Sequence, residues 1–201
     1  MTRIPALERQ DLDEFAPLFA MAEQIMGFVP NSMLTLGRRP DILRAFATLV
    51  ATVMTGGKLD NGLKQLVAFV SSNASGCRYC QAHTTHSAER AGVQAEKIEA
   101  AFEFETNPLF TDAERAALKL ARDASLVPNQ TTDGHFEELR RYFADDAIIE
   151  LVAVISLFGW LNRWNDTLAT ELEQAPRDSA ENLLAAHGWT VGEHEREPSR
   201  G

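Results

Sequence analysis

The sequence has no surplus of positive charge, no long unbroken apolar run, almost no cysteine and no strand-like alternation, and each absence excludes something. Its 201 residues carry 19 Lys and Arg against 29 Asp and Glu, a net charge of −10. Nucleic acid and anionic membranes need a basic face that this balance does not offer. The opening Met-Thr-Arg-Ile-Pro-Ala-Leu-Glu-Arg-Gln has no apolar run of signal-peptide length, so a cytoplasmic protein is expected. The longest apolar-rich stretch, Ala147 to Leu161, is interrupted by Glu150 and reads as too short to span a bilayer. Only two cysteines are present, Cys77 and Cys80. In a reducing compartment a structural disulfide would not persist, so this pair points to redox or metal chemistry.

With 45% hydrophobic and 24% charged residues, the chain can bury an ordinary core. One domain over 1–201 is expected, with its core at about 11–187 and a frayed tail at 188–201. No segment alternates with period 2, and apolar residues recur at helical spacing nearly throughout, so the fold class is all-α. Asp11 is placed to cap a helix over Leu12 to Met26, with Pro17 either kinking it or marking its first turn. Helices then follow at Ile42 to Met54 after Pro40, at Asn61 to Asn73, from the cysteine motif to near Gly92, and at Ala95 to Phe104. Thr111-Asp-Ala-Glu114 is a capping box ahead of Ala116 to Ala124. Phe136 to Tyr142 and Asp146 to Leu172 are the last strong helices.

One internal similarity can be counted. Gln65-Leu-Val-Ala-Phe-Val-Ser71 aligns with Glu150-Leu-Val-Ala-Val-Ile-Ser156 at an offset of 85, which also sets Cys77-Arg-Tyr-Cys80 against Asn162-Arg-Trp-Asn165. Five of the eleven pairs are identical and three are similar. A duplicated helical hairpin is expected, with the thiols in the first copy only. Two buried helices of similar composition are the plainer alternative.

Cysteines at i and i+3 form a disulfide only when their Cβ atoms come within ~4 Å, whereas a regular helix holds such pairs ~5–6 Å apart. The motif therefore works best at a helix N-terminus, and Ala74-Ser75-Gly76 supplies the break. Unpaired N–H groups there also favour thiolate, the nucleophilic form. His83 follows Cys80 by three residues, on the same face, and is a candidate base or proton relay. His86 lies one turn further along and Arg78 adds positive charge. Zinc held by Cys77, Cys80, His83 and His86 is disfavoured, because four ligands in one short helix do not enclose a tetrahedral ion. His135, His187 and His194 fall in loop, helix-end and tail contexts and carry no assignment.

The stretch Leu63-Lys-Gln-Leu-Val-Ala-Phe-Val-Ser71, followed by Gly76-Cys-Arg-Tyr-Cys-Gln-Ala-His83, resembles the AhpD-like alkylhydroperoxidases of the carboxymuconolactone decarboxylase-like superfamily. Asn162-Arg-Trp-Asn-Asp-Thr-Leu168 is similar to the closing helix of longer, peroxidase-related members. The resemblance implies an all-helical subunit assembling into a trimer or hexamer, without a cofactor. It also implies a hydroperoxide reduced by Cys80, a disulfide closed by Cys77, and a dithiol donor that restores both. Two positions depart from the family pattern. Gln65 stands where active peroxidases carry glutamate, and Thr84 stands where the family histidine often sits, with His83 one earlier. Lactone decarboxylation is disfavoured, since that branch typically lacks the cysteine pair. Gln65, Tyr79, His86, Asn162 and Arg163 are supporting candidates, with Asn165 as a pocket-lining neighbour, while Trp160 and Trp164 read as packing residues. The alternatives are a thiol-disulfide reductase and a redox-sensing oligomer that turns nothing over.

Overall fold

The computed structural model describes residues 2–195, and among these every regular element is helical. In chain order the α-helices are α1 (Ala16–Met26), α2 (Asn31–Leu36), α3 (Pro40–Met54), α4 (Asn61–Ser75), α5 (Arg78–Arg90), α6 (Ala95–Glu99), α7 (Asp112–Ser125), α8 (Asp133–Leu139), α9 (Asp145–Leu168) and α10 (Gln174–Leu184). Short 3₁₀ segments lead into α1, extend α6 and follow α10.

The ends follow local chemistry. Pro17 sits in the first turn of α1, and the preceding segment Arg9–Phe15 is 3₁₀, with Leu12 out of helical geometry. Of the two places read for Pro17, the first turn is the one found, and α1 starts there rather than at Leu12: proline has no N–H to donate into the turn before it. The Asp60 side chain caps α4 by accepting the Leu63 N–H at 3.0 Å, and the Thr111–Glu114 capping box closes on α7 as expected. Helix α8 begins three residues early, because His135 completes a second box with Thr132 and also reaches Asp123 at 2.9 Å.

Helix α4 lies at the centre, packed on α5, α7 and α9. Its Leu66, Val67 and Val70 share one buried cluster with Leu118 and Ala121 of α7 and Leu151, Val154 and Leu157 of α9. A smaller cluster of Leu12, Phe15, Phe19, Leu36 and Leu43 seats the N-terminal segment. Helix α9 has 24 residues and, by length and composition alone, is long and apolar enough to cross a membrane, contrary to the shorter stretch read from the sequence. Less than half of its most apolar window is buried inside the bundle, and Ile149 stays exposed.

A buried ion pair joins the two repeat copies. Lys64, 1% exposed, pairs with Glu150 at 2.5 Å and donates to the carbonyls of Val53 and Gly56. Burial pushes the Glu150 carboxyl up, but the Lys64 ammonium and the Lys58 N–H outweigh it and hold it below its ordinary range.

The duplicated hairpin is corrected. The first copy bends at Gly76, which takes the left-handed region at φ 80° and separates α4 from α5. The position 85 residues on is Leu161, with no such freedom, and α9 runs through it uninterrupted. The frayed tail is corrected as well. Trp189, Val191 and His194 are buried, the Trp189 Nε1–H donates to the Arg78 carbonyl at 3.2 Å, and Arg78 donates back to Gly188 at 3.1 Å. The segment to Glu195 therefore clamps the start of α5, and residues 196–201 of that expectation lie outside the described residues.

Candidate functional site

Cys77 is the N-cap of α5, and its sulfur accepts the Cys80 N–H at 3.4 Å. This is the placement the Cys-x-x-Cys spacing requires, with Gly76 supplying the turn ahead of it. Both cysteines are free and buried. Burial pushes the Cys77 thiol well above its ordinary value, and Cys80 and then the Asp166 carboxylate add to that rise. These effects override the helix N-terminus, which alone would favour Cys77 as thiolate.

Cys80 lines a cavity of about 190 Å³, shared with Gln65, Tyr79, His83 and Asn165 and otherwise walled by residues such as Met33, Phe46, Val50 and Leu161. At roughly 30 Å³ per water this holds about six waters, so it fits a small, largely apolar substrate. Two residues with larger adjoining grooves, Asn162 and Arg163, do not line it. Arg163 lies about 200° round the helix from Asn165 and is exposed, which takes it away from the motif, whereas Asn162 is buried and borders the larger groove instead. Asn165 takes the place opposite the motif, donating Nδ2–H to the Cys80 sulfur at 3.5 Å and to the Leu161 carbonyl at 3.0 Å.

His83 is built into a network. Its Nε2 lies 2.6 Å from Glu173 Oε2, and its ring stacks on Tyr79 at 4.2 Å. The Tyr79 hydroxyl donates to Glu173 Oε1 at 2.9 Å and accepts the Ser32 N–H, while the Asn31 N–H also reaches Glu173. Burial and then the Glu173 charge push the Tyr79 phenol well up, so it stays a donor. A carboxylate at Nε2 fixes the proton there and leaves Nδ1 of neutral His83 as a proton acceptor.

Glu173 is the residue that sequence reasoning missed. It stands 90 positions from His83, just before α10, in a polar segment without periodicity. The weak signal was Pro176, Ala180 and Leu184, four apart and all buried in α10. Gln65 borders the cavity but bonds only Asn61, at 3.4 Å. The role of His86 is also corrected. Its Nε2–H donates to the Met26 carbonyl at 2.9 Å and its Nδ1 meets the Ser179 hydroxyl at 3.1 Å, so it ties α1 and α10 to α5. Trp160 and Trp164 stack on each other at 5.1 Å, and Trp160 also stacks on Phe46, as packing residues should.

The carboxymuconolactone decarboxylase family model matches residues 40–123, which span α3 to α7 and include both cysteines. The debrominase Bmp8, solved as a cysteine-to-alanine variant in complex with 2,3,4-tribromopyrrole, is 39% identical over 91% of this chain and 98% of its own, with TM-score 0.86. An AhpD-core, peroxidase-related protein from Ralstonia eutropha JMP134 is 25% identical over 87% and 94%, with TM-score 0.78. The uncharacterized protein YnjA of Escherichia coli (strain K12) is 32% identical over 111 residues, 55% of this chain; the chain spans 60% of YnjA's length. The chain belongs to the AhpD-like carboxymuconolactone decarboxylase family.

Proposed function

We propose that this protein is an enzyme that reduces hydroperoxides with the Cys80–Cys77 dithiol, Cys80 attacking, Cys77 resolving and His83 moving protons. One observation carries the reading: Cys80 borders a small apolar cavity beside the His83–Glu173 pair, while Cys77 is fully buried and does not border it. His83 Nδ1 takes the Cys80 thiol proton, the thiolate attacks the outer peroxide oxygen, the O–O bond breaks, and the leaving alkoxide takes that proton back from His83. Cys80 is then a sulfenic acid. Cys77 attacks its sulfur, water leaves, and a disulfide forms. An external dithiol, as reductant, takes over the disulfide and returns two thiols.

Glu173 answers the two departures from the family pattern. The carboxylate absent at Gln65 comes to His83 from the start of α10, and His83 is held in place by Tyr79. Exposed Leu49 and Ile149, on the contacting helices α3 and α9, support a homo-oligomer. A reducing cytoplasm keeps the resting dithiol reduced. Steady-state consumption of tert-butyl hydroperoxide with dithiothreitol as donor tests the reading. Cys80→Ser must lose turnover entirely, and Cys77→Ser, mixed with peroxide in the absence of donor, must consume one equivalent and form no intramolecular disulfide.

The likeness to Bmp8 over nearly its whole length favours a second reading, a reductive dehalogenase of small halogenated aromatics. The same dithiol supplies the two electrons. The carbon–halogen bond becomes carbon–hydrogen, and disulfide, halide and a proton are released. Halide release from a tribromopyrrole, against peroxide consumption, separates the two.

A further inference from the structure

Around Cys77 a second cluster converges, two of whose members, Asp166 and His194, the proposed reaction does not use. The Cys77 sulfur, an Asp166 carboxylate oxygen and a ring nitrogen of His194 all lie within 4.8 Å of one another. His194 is 1% exposed, and its orientation is fixed: Nδ1–H donates to the Thr170 carbonyl at 2.8 Å. In the neutral ring the other nitrogen, Nε2, presents a lone pair 3.3 Å from Asp166 Oδ1, also an acceptor. Two acceptors and a thiol facing one point are satisfied by a positive centre, either a proton on Nε2 or a metal ion among all three. A histidine whose outer N–H is pinned by a backbone carbonyl is the usual form of a metal-ligating imidazole.

The separation of the nitrogen and the oxygen fits such an ion, with the Cys77 sulfur within 4.8 Å of both. Tetrahedral zinc bound to nitrogen and oxygen at ~2.0–2.1 Å sets those two atoms about 3.3 Å apart, close to the separation of Nε2 and Oδ1. One sulfur, one nitrogen and one carboxylate oxygen suit a borderline ion of the zinc class rather than calcium or magnesium. Asp166, with its side chain 36% exposed, borders the large groove shared with Ala74 and Asn162 and gives a route inward.

We propose that Cys77, Asp166 and His194 form a binding site for a divalent ion of the zinc class. Binding releases the Cys77 thiol proton to solvent and joins the thiolate to the metal, leaving solvent to complete the fourth position. With its sulfur bound, Cys77 does not close the disulfide, so the metal arrests the cycle after the first oxidation. That consequence rests on the resolving role given to Cys77 above; the binding does not.

Cobalt(II), added to the fully reduced protein without oxygen, tests the site. One equivalent should bind and give a thiolate-to-metal charge-transfer band. The band should vanish in Cys77→Ser, persist in Cys80→Ser, and need at least tenfold more metal in Asp166→Asn and in His194→Gln. Thermal unfolding without metal shows whether His194→Gln is folded, and the partly exposed Asp166→Asn decides if it is not. Zinc should also slow diamide-driven disulfide formation at least tenfold in the wild type, an oxidation independent of any peroxide. No charge-transfer band overturns the proposal, as does a band lost in Cys80→Ser or unchanged in Asp166→Asn; loss of peroxidase activity alone would bear only on the function above.

Discussion

Asn165 places its Nδ2 3.5 Å from the sulfur of Cys80, and the two residues stand 85 positions apart, the offset of the internal repeat. Where the first copy of the repeat carries the thiol, the second carries an amide, and the two copies meet at that point. The amide donates to sulfur and is itself held by the Leu161 carbonyl one turn back.

Removing that donor should slow the chemistry of Cys80. A hydrogen bond to a charged group is worth roughly 1.5–3 kcal/mol, so Asn165→Ala should lower the rate of Cys80 alkylation tenfold or more. The comparison uses iodoacetamide at fixed pH in a Cys77→Ser background. Equal rates with and without Asn165 would show that the amide only packs.

Glu173→Gln keeps the shape and removes the charge beside His83. It should cost about ten- to a hundredfold in kcat, a part of the roughly 10²–10⁴-fold that general acid–base catalysis contributes, because His83 itself remains. Gln65→Ala should cost less than threefold, since Gln65 bonds only Asn61 near the cavity. The reverse ranking in steady-state kinetics would return the carboxylate-equivalent role to Gln65.

Acid should unfold the protein through its depressed carboxyls. Glu150 is held below its ordinary range by Lys64 and Lys58, which outweigh its burial, and Asp123 by Arg122 and then His135. A carboxyl lowered on folding contributes stability above its unfolded pKa, ~4, and loses it as pH falls through the folded value. Thermal midpoints should therefore stay level from pH 7 to about 5 and drop below about 4. Glu150→Gln should flatten part of that drop and destabilise the fold at pH 7, by less than the roughly 3–5 kcal/mol of a fully unpaired buried charge, because Lys64 keeps the carbonyls of Val53 and Gly56.

Gly76→Ala tests the turn that makes the motif. The added Cβ meets nothing within 4 Å, but φ at Gly76 is 80°, and a left-handed L-residue costs about 1–2 kcal/mol. Chemical denaturation should show that loss, with slower disulfide closure as Cys77 shifts. An unchanged midpoint would mean that the α4–α5 corner relaxes freely.

Much of this site was legible because it is local. The α4–α5 break, the N-cap place of Cys77 and the shared face of Cys80 and His83 follow from spacing and glycine chemistry within one copy, and the distant Asn165 was legible only through the 85-residue offset of the repeat. What escaped lies far along the chain. Glu173, Asp166 and His194 reach the thiols only through the fold of residues 166–195, where polar side chains hide the buried faces of Ala180, Leu184, Trp189 and Val191. The start of α1 stayed open between two places for a different reason: Asp11 offers a cap, while Pro17 is suited to a first turn and has no N–H for a helix begun before it.

The central claim is that Cys80 attacks and Cys77 resolves. Stopped-flow mixing of reduced protein with an organic hydroperoxide, with quench at intervals and mass analysis of each cysteine, tests it most directly. The account predicts a sulfenic acid trapped by dimedone at Cys80 in Cys77→Ser, a Cys77–Cys80 disulfide in the wild type, and a first step much faster than free cysteine. Sulfenic acid appearing first at Cys77, or consumption of both thiols no faster than free cysteine, would contradict it.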